Sequence, residues 1–238
     1  MKDLLFFICV IFFLSLAAFF APQKLYIPIK KGTVLEYEII NMSDKTKRYA
    51  YQTINKCNDQ HVITDYDIVL CNSSHTPVSS PIRSSVPVYN SIINFYAGNL
   101  AETNPRTNIK ISGKNVSFQD NVNVGQTLSS GYLKISNDTL QIQIHVSDRE
   151  IKEQKFICLS AGTYYCFKIE ETYVIENQGI RTYNKASNWY VPGIGIIKSD
   201  IYNQDGKLLY KQNLMSVNTT ILNKFPEPTQ PPAMTSIN

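Results

Sequence analysis

Leu140-Gln141-Ile142-Gln143-Ile144-His145-Val146 is the stretch that decides the fold. Its apolar residues recur at every second position, and successive side chains of a strand point to opposite faces. One face therefore carries the leucine, isoleucines and valine, and the other carries Gln141, Gln143 and His145. The same period recurs in both directions along the chain. Leu35, Tyr37 and Ile39 alternate with Glu36 and Glu38, and Tyr165, Phe167 and Ile169 alternate with Cys166, Lys168 and Glu170, which puts Cys166 on the face opposite the aromatic row.

Turn residues punctuate these runs. Ser112-Gly113-Lys114-Asn115, Ala161-Gly162-Thr163, Asn177-Gln178-Gly179 and Gln204-Asp205-Gly206 supply side chains that tolerate positive φ or tight bends. Their short spacing predicts hairpins. Parallel strands would need crossovers of a dozen or more residues, and nothing between Asn104 and Val217 offers a helix for them. The sheet is expected to be antiparallel and the protein all-β. One helical candidate occurs: Tyr89, Ile92, Ile93 and Tyr96 follow an i, i+3, i+4, i+7 spacing, which predicts a short helix over Val88 to Ala97 that Gly98 stops. The Ser- and Pro-rich stretch from Ser73 to Pro87 reads as a long loop.

The chain has 238 residues, 43% hydrophobic and 18% charged, with 15 Tyr and 11 Phe. That supply of apolar surface suits a folded domain rather than a disordered chain. The formal charge is +4 and the lysines and arginines are scattered, so no basic stripe points to nucleic acid. The densest cluster, Lys45, Lys47 and Arg48 after Asp44, reads as a solvated loop tip.

Lys2 precedes an apolar run from Leu4 to Phe20, broken only by Ser15 and followed by Pro22. This predicts a signal peptide over residues 1–21 with cleavage near 17–21, the alternative being an uncleaved membrane anchor. Any membrane association would come through this segment. Cys9 follows Phe7 and Ile8, without the small residue that lipidation requires just ahead of its cysteine, so a lipoprotein is not expected. The remainder reads as a single antiparallel β domain over residues 22–224 and a disordered proline-rich tail over residues 225–238. The expected location is the periplasm or another exported compartment.

Four cysteines remain beyond the signal: Cys57, Cys71, Cys158 and Cys166. Their even number in an oxidising compartment makes disulfides plausible, with three pairings open, the alternative being small buried thiols. None has C-x-x-C spacing. The histidines, His61, His75 and His145, stand in no metal-ligand spacing and beside no nucleophile motif. Asp65 and Asp67 share a strand face but read as a solvated row, and Glu170 and Glu171 face opposite sides. Pro192-Gly193-Ile194-Gly195 lacks the glycines and helix of a nucleotide loop, and the following Ile196-Ile197-Lys198-Ser199 reads as a strand. The sequence thus predicts no catalytic residues, no metal site and no cofactor, and the protein is not expected to be an enzyme.

Two segments resemble a known family: Ser160 to Ile169, containing Ala161, Gly162, Thr163 and Cys166, and Trp189-Tyr190-Val191-Pro192-Gly193-Ile194-Gly195-Ile196-Ile197-Lys198, followed by Asp205-Gly206-Lys207-Leu208. Together they are similar to the TapB-like domain of unknown function, over roughly Gly32 to Val217. Cys71 and Val124-Gly125-Gln126-Thr127-Leu128 also resemble family positions. The resemblance implies an exported bacterial envelope protein whose strongly curved antiparallel sheet forms an open or incomplete barrel, similar in outline to the LolA/LolB lipoprotein-carrier fold. It supplies no catalytic residues. From family-like strand positions it implies a Cys71–Cys166 disulfide, leaving Cys57 and Cys158 as a second pair. Two functions are expected in order: binding of a lipid or other apolar ligand on the concave sheet face with the helix as a lid, or a structural or interaction protein of the cell envelope that docks a protein partner.

Overall fold

The computed structural model describes residues 30–57, 64–104, 107–114, 118 and 122–218, with Cys57 and Thr64 described in backbone only. The signal peptide, His61 and the proline-rich tail lie outside the described residues.

Eleven strands form one antiparallel sheet: β1 (Val34–Asn41), β2 (Lys47–Cys57), β3 (Thr64–Cys71), β4 (Ile82–Ser84), β5 (Lys110–Lys114), β6 (Gly131–Ser136), β7 (Gln141–Leu159), β8 (Gly162–Asn177), β9 (Ile180–Val191), β10 (Gly195–Asn203) and β11 (Leu208–Asn218). Their spatial order is β4-β3-β2-β1-β11-β10-β9-β8-β7-β6-β5. Almost every step is a hairpin between sequence neighbours. The exception joins the first strand to the last, with Val34 opposite Asn218 and Asn41 opposite Tyr210. The sheet curls until β4 and β5 face each other without pairing, which leaves a barrel with one unsealed seam. Register shifts help it curl: β-bulges interrupt the ladders between Glu36 and Tyr37, Ile54 and Lys56, Ser147 and Glu150, and Ile196 and Lys198, and each adds local twist.

The alternation read from the sequence divides inside from outside. Leu35, Tyr37 and Ile39 are buried, as are Ile142, Ile144 and Val146, while Gln141, Gln143 and His145 are exposed. Turn chemistry holds at Gln178-Gly179, a two-residue hairpin loop with φ of 51° and 80°, the mirror-image turn that matches strand twist. It fails at Ser112-Gly113-Lys114, which continues β5. A Cβ on Gly113 would sit 2.4 Å from the Tyr132 carbonyl oxygen, so glycine here permits close strand approach rather than a turn. The loop from Ser73 to Pro87 likewise contains a strand, β4.

The helix covers most of the stretch that the sequence spacing predicts but runs on beyond Ala97 to Thr103. After a 3-10 turn at Pro87–Tyr89, α1 runs Asn90–Thr103. Gly98 does not stop it. Gly98 is buried mid-helix where a Cβ would lie 3.0 Å from an Arg48 guanidinium nitrogen, so its missing side chain makes room for arginine. Nor is α1 a lid. Its residues Asn90, Ser91, Ile92, Ile93, Asn94, Ala97, Leu100 and Ala101 are all buried, and it fills the concave side of the sheet as a plug. A helix enclosed on nearly all sides must satisfy its polar side chains within the protein, and that requirement shapes the interior.

Candidate functional site

Polar side chains of α1 reach strands on several sides of the barrel. Asn90 donates its Nδ2 to Tyr37 Oη at 3.0 Å and to Gln52 Oε1 at 3.3 Å. Asn94 donates to Gln212 Oε1 at 3.0 Å, and Ser91 donates its hydroxyl to Asn188 Oδ1 at 3.4 Å. The tyrosines answer from the sheet: Tyr190 donates to the Val88 carbonyl at 2.8 Å and Tyr210 to the Ser91 carbonyl at 3.0 Å. Phe95 stacks on Tyr210 with ring centroids 4.3 Å apart. At the C-terminal end of α1, Arg48 bonds Asn99 and pairs with Glu102 at 3.0 Å. The buried Tyr37, Tyr190 and Tyr210 thus fill the core with rings whose hydroxyls hold the plug, and burial pushes the phenols of Tyr173, Tyr190 and Tyr210 well above their ordinary range.

Asn188 links this set to a buried charge pair. Arg149 Nε donates to Glu171 Oε2 at 2.8 Å, with neither side chain exposed, and Arg149 Nη1 donates to the Ser129 carbonyl at 2.9 Å. The other Glu171 oxygen accepts from Tyr173 and Asn188. Burial opposes the Arg149 charge, but Glu171 beside it leaves the guanidinium held above its ordinary pKa. Arg149 points inward because β7 bulges there: Asp148 takes φ of 50°, and the ladder with β8 skips from Ser147 to Glu150. Val124-Gly125-Gln126-Thr127-Leu128 lies along this bulge and closes it with backbone bonds to Arg149 and Ile151. This network holds the plug to the wall, and Glu171 also borders an outer cleft.

A second polar chain lies on the outer face. Ser216 donates to Glu36 Oε2 at 2.9 Å, Tyr51 donates to Glu36 Oε1 at 3.0 Å, and His75 Nδ1 lies 2.7 Å from Tyr51 Oη. His75 also stacks on Tyr49 at 3.8 Å. Glu36 and Tyr51 both stand between Ser216 and the histidine, so the imidazole does not bond the hydroxyl, and the arrangement differs from a Ser-His-Asp triad. Among the described residues no group of three or more His, Cys, Asp and Glu side chains is placed to hold a metal ion. Asp67 pairs with Arg83 at 3.2 Å rather than with Asp65.

The family-like residues do not converge on one site. Ala161 lies in the β7–β8 turn, Gly162 follows it with φ of 132°, and the Thr163 hydroxyl lies 3.2 Å from Cys158 Sγ. Pro192 and Gly193 make the β9–β10 turn with Gly195 opening β10, and Gly206, φ 78°, turns β10 into β11 at the opposite end of the barrel. Trp189 lies under the Lys155 ammonium, 4.8 Å from the ring centroid. The Cys71–Cys166 bridge is not formed. Both are free, buried thiols, and in the ring of strands β3 and β8 lie on opposite sides, beyond the Cα separation of roughly 7 Å that a disulfide allows. Cys158 is also free, and it is exposed. Burial pushes the Cys71 and Cys166 thiols up to about 11.

Among the described residues Val124 and Ile180 are exposed singly, and two pairs of exposed aromatic rings remain. On the convex face, ladder partners Tyr132, His145, Val174 and Tyr183 form a row across β6, β7, β8 and β9. Tyr132 and Tyr183 are 49% and 47% exposed. Lys134, Gln143, Glu176 and Arg181 border the row, the last two as an ion pair at 3.1 Å. At the far tip of the β7–β8 hairpin, Phe156 and Tyr165 are 69% and 55% exposed. A cleft of about 460 Å³ on the outer face is lined by Glu150, Lys152, Lys168, Glu170, Lys185 and Tyr202, and reaches Glu171.

A family model described as DUF3108-like matches residues 30–214. Among solved structures, a Bacteroides fragilis protein described as exported and as having a YmcC-like fold superposes with a TM-score of 0.68 at 16% identity, over 82% of this chain and 99% of its own. A Parabacteroides distasonis protein described as a lipoprotein superposes with a TM-score of 0.67 at 16% identity, over 83% of this chain and all of its own. No curated protein matches the chain.

Proposed function

The chain belongs to the DUF3108-like family, and from that premise we propose that it is an exported, non-catalytic protein of the cell envelope that docks a folded protein partner through the convex face of its sheet. The observation that carries this reading is the row Tyr132, His145, Val174 and Tyr183, an aromatic strip about 14 Å across with a charged rim. Interface centres favour aromatic side chains inside a polar border. Export is supported by the apolar run from Leu4 to Phe20 and by the description of the Bacteroides neighbour as exported. The Parabacteroides neighbour is described as a lipoprotein, so lipid attachment is a property to test in this chain rather than to dismiss from Cys9 alone.

Binding of an apolar ligand on the concave face, as the LolA/LolB-like outline would have it, ranks second. α1 occupies that face through several side-chain hydrogen bonds, so a guest would have to displace the helix. The TapB-like resemblance of residues 160–169 and 189–198 supports the fold and not either ligand.

The test is a photo-crosslinking residue placed at Tyr132, at Tyr183 and, as a control, at Tyr202, in cells of the native host. The same envelope protein is expected at the first two positions and not at the third, and Tyr132→Ser with Tyr183→Ser is expected to abolish its co-purification. No crosslink at either position, together with a lipid retained in native mass spectrometry, would replace this reading with the carrier.

A further inference from the structure

Beyond the convex face, the hairpin tip of β7 and β8 has no place in a soluble, partner-docking role. Among the described residues, β8 loses its β9 neighbour before Phe167, whose partner is Tyr190, and the loop covering β7 makes its last bond from Gln154 to the Val122 carbonyl. The ribbon from Lys155 to Cys166 continues as two strands alone, roughly 16 Å of them. Ile157, Leu159 and Tyr164 pack back against the core from one side of the ribbon. Phe156 and Tyr165 stand opposite each other on the other side, ring centroids 5.0 Å apart, largely in solvent. The ten residues from Phe156 to Tyr165 carry no charge, and the nearest lysines, Lys155 and Lys168, are each paired with a glutamate.

The position of the ribbon names its occupant. Strand directions place the β7–β8 turn at the end of the barrel where β1 begins and β11 ends. There Gly32 donates its backbone N–H to the Ile54 carbonyl, so the chain enters the domain at this end. Where the apolar run is retained as the membrane anchor that is the alternative to cleavage, it ends at Phe20, about ten residues before Lys30, and holds this end of the barrel within at most about 35 Å of the bilayer. We infer that the β7–β8 ribbon rests on a lipid bilayer, with Phe156 and Tyr165 in the interfacial layer and the barrel end facing the membrane. The Tyr165 ring, apolar with one polar edge, settles at the headgroup level, the wholly apolar Phe156 ring beside it gains by leaving water, and a tip without net charge needs no anionic lipid to draw it there. The convex row lies on the flank of the barrel and stays free for a protein, so the two surfaces operate independently.

The test uses the full chain with Phe156→Trp in vesicles of zwitterionic phosphatidylcholine, some with brominated acyl chains. The buried Trp189 of the unsubstituted chain supplies the background. The new tryptophan is expected to shift its emission to the blue and to be quenched about twofold by the brominated lipid, with no dependence on salt. Adding Tyr165→Ser should weaken the quenching without changing the circular dichroism. Emission that stays solvent-like and unquenched would overturn the proposal, as would a blue shift without vesicles that accompanies a doubling of mass, which would assign the ribbon to a second copy of the chain. Loss of the Tyr132 and Tyr183 crosslinks would leave this result unaffected.

Discussion

Arg149 and Glu171 meet at 2.8 Å with neither side chain exposed, bridging the bulge of β7 to β8 behind the plug helix. Removing one partner leaves the other charge buried without compensation, which costs about 3–5 kcal/mol. Arg149→Met and Glu171→Gln are each expected to lower the unfolding free energy by that much, read as a lower urea midpoint at unchanged slope. The double variant should recover part of the loss, since the glutamine still accepts from Asn188 and no charge remains unpaired. Equal losses from the single and double variants would mean that the pair contributes only its packing.

Gly98 leaves space that Arg48 occupies on its way to Asn99 and Glu102. Gly98→Leu is expected to destabilise the protein by about 1–3 kcal/mol, because the added side chain must push the guanidinium aside in a filled interior. Thermal unfolding measures it. A stabilised variant, as helix propensity alone would give, would show that the helix end is free to move outward.

Gly113 faces backbone, and a Cβ there meets an oxygen that cannot step away. Gly113→Ala should loosen β5 from β6 at the seam. Hydrogen exchange followed by mass spectrometry is expected to speed up in residues 110–114 and 131–136 while β8 and β9 stay protected.

Cys71 and Cys166 ionise only near pH 11, whereas Cys158 is exposed. At pH 8, among these three thiols, Cys158 should react with a disulfide reagent and the two buried ones should not until the protein unfolds. The unfolded thiols ionise near pH 9, so in the folded state these groups hold their protons to higher pH. Their contribution to stability is present below pH 9 and is lost as pH rises from about 9 to 11. A pH titration of unfolding in which stability rises across that window would contradict their burial.

Strands with period two were legible because one face of each meets the core and the other meets water. The legible part extends further than simple alternation: Ile142, Ile144 and Val146 keep even parity, then Ile151 breaks it, and that slip of phase marks the bulge that turns Arg149 inward. Cys166 was placed correctly opposite Phe167, but the side of the strand did not predict exposure, since both are buried. The helix was legible as a helix and illegible as a plug. Apolar spacing over Tyr89 to Tyr96 looks the same whether the remaining Asn90, Ser91 and Asn94 face water or Gln212 and Asn188, and only the closed sheet decides between them. Pairings across the barrel, the absence of the Cys71–Cys166 bridge among them, depend on strand order, which local pattern does not carry. The convex row escaped for the same reason, because its four residues are distant in sequence and adjacent only through the register.

The ladder between β1 and β11 joins segments almost at opposite ends of the domain. Until residues 208–218 are available, β1 has one unsatisfied edge and the curled sheet has no closure, so no early portion of the chain can complete the fold. A protein drawn through an export channel from its N-terminus would therefore stay unfolded enough to thread until its final strand had crossed, and would close into its barrel only on the far side.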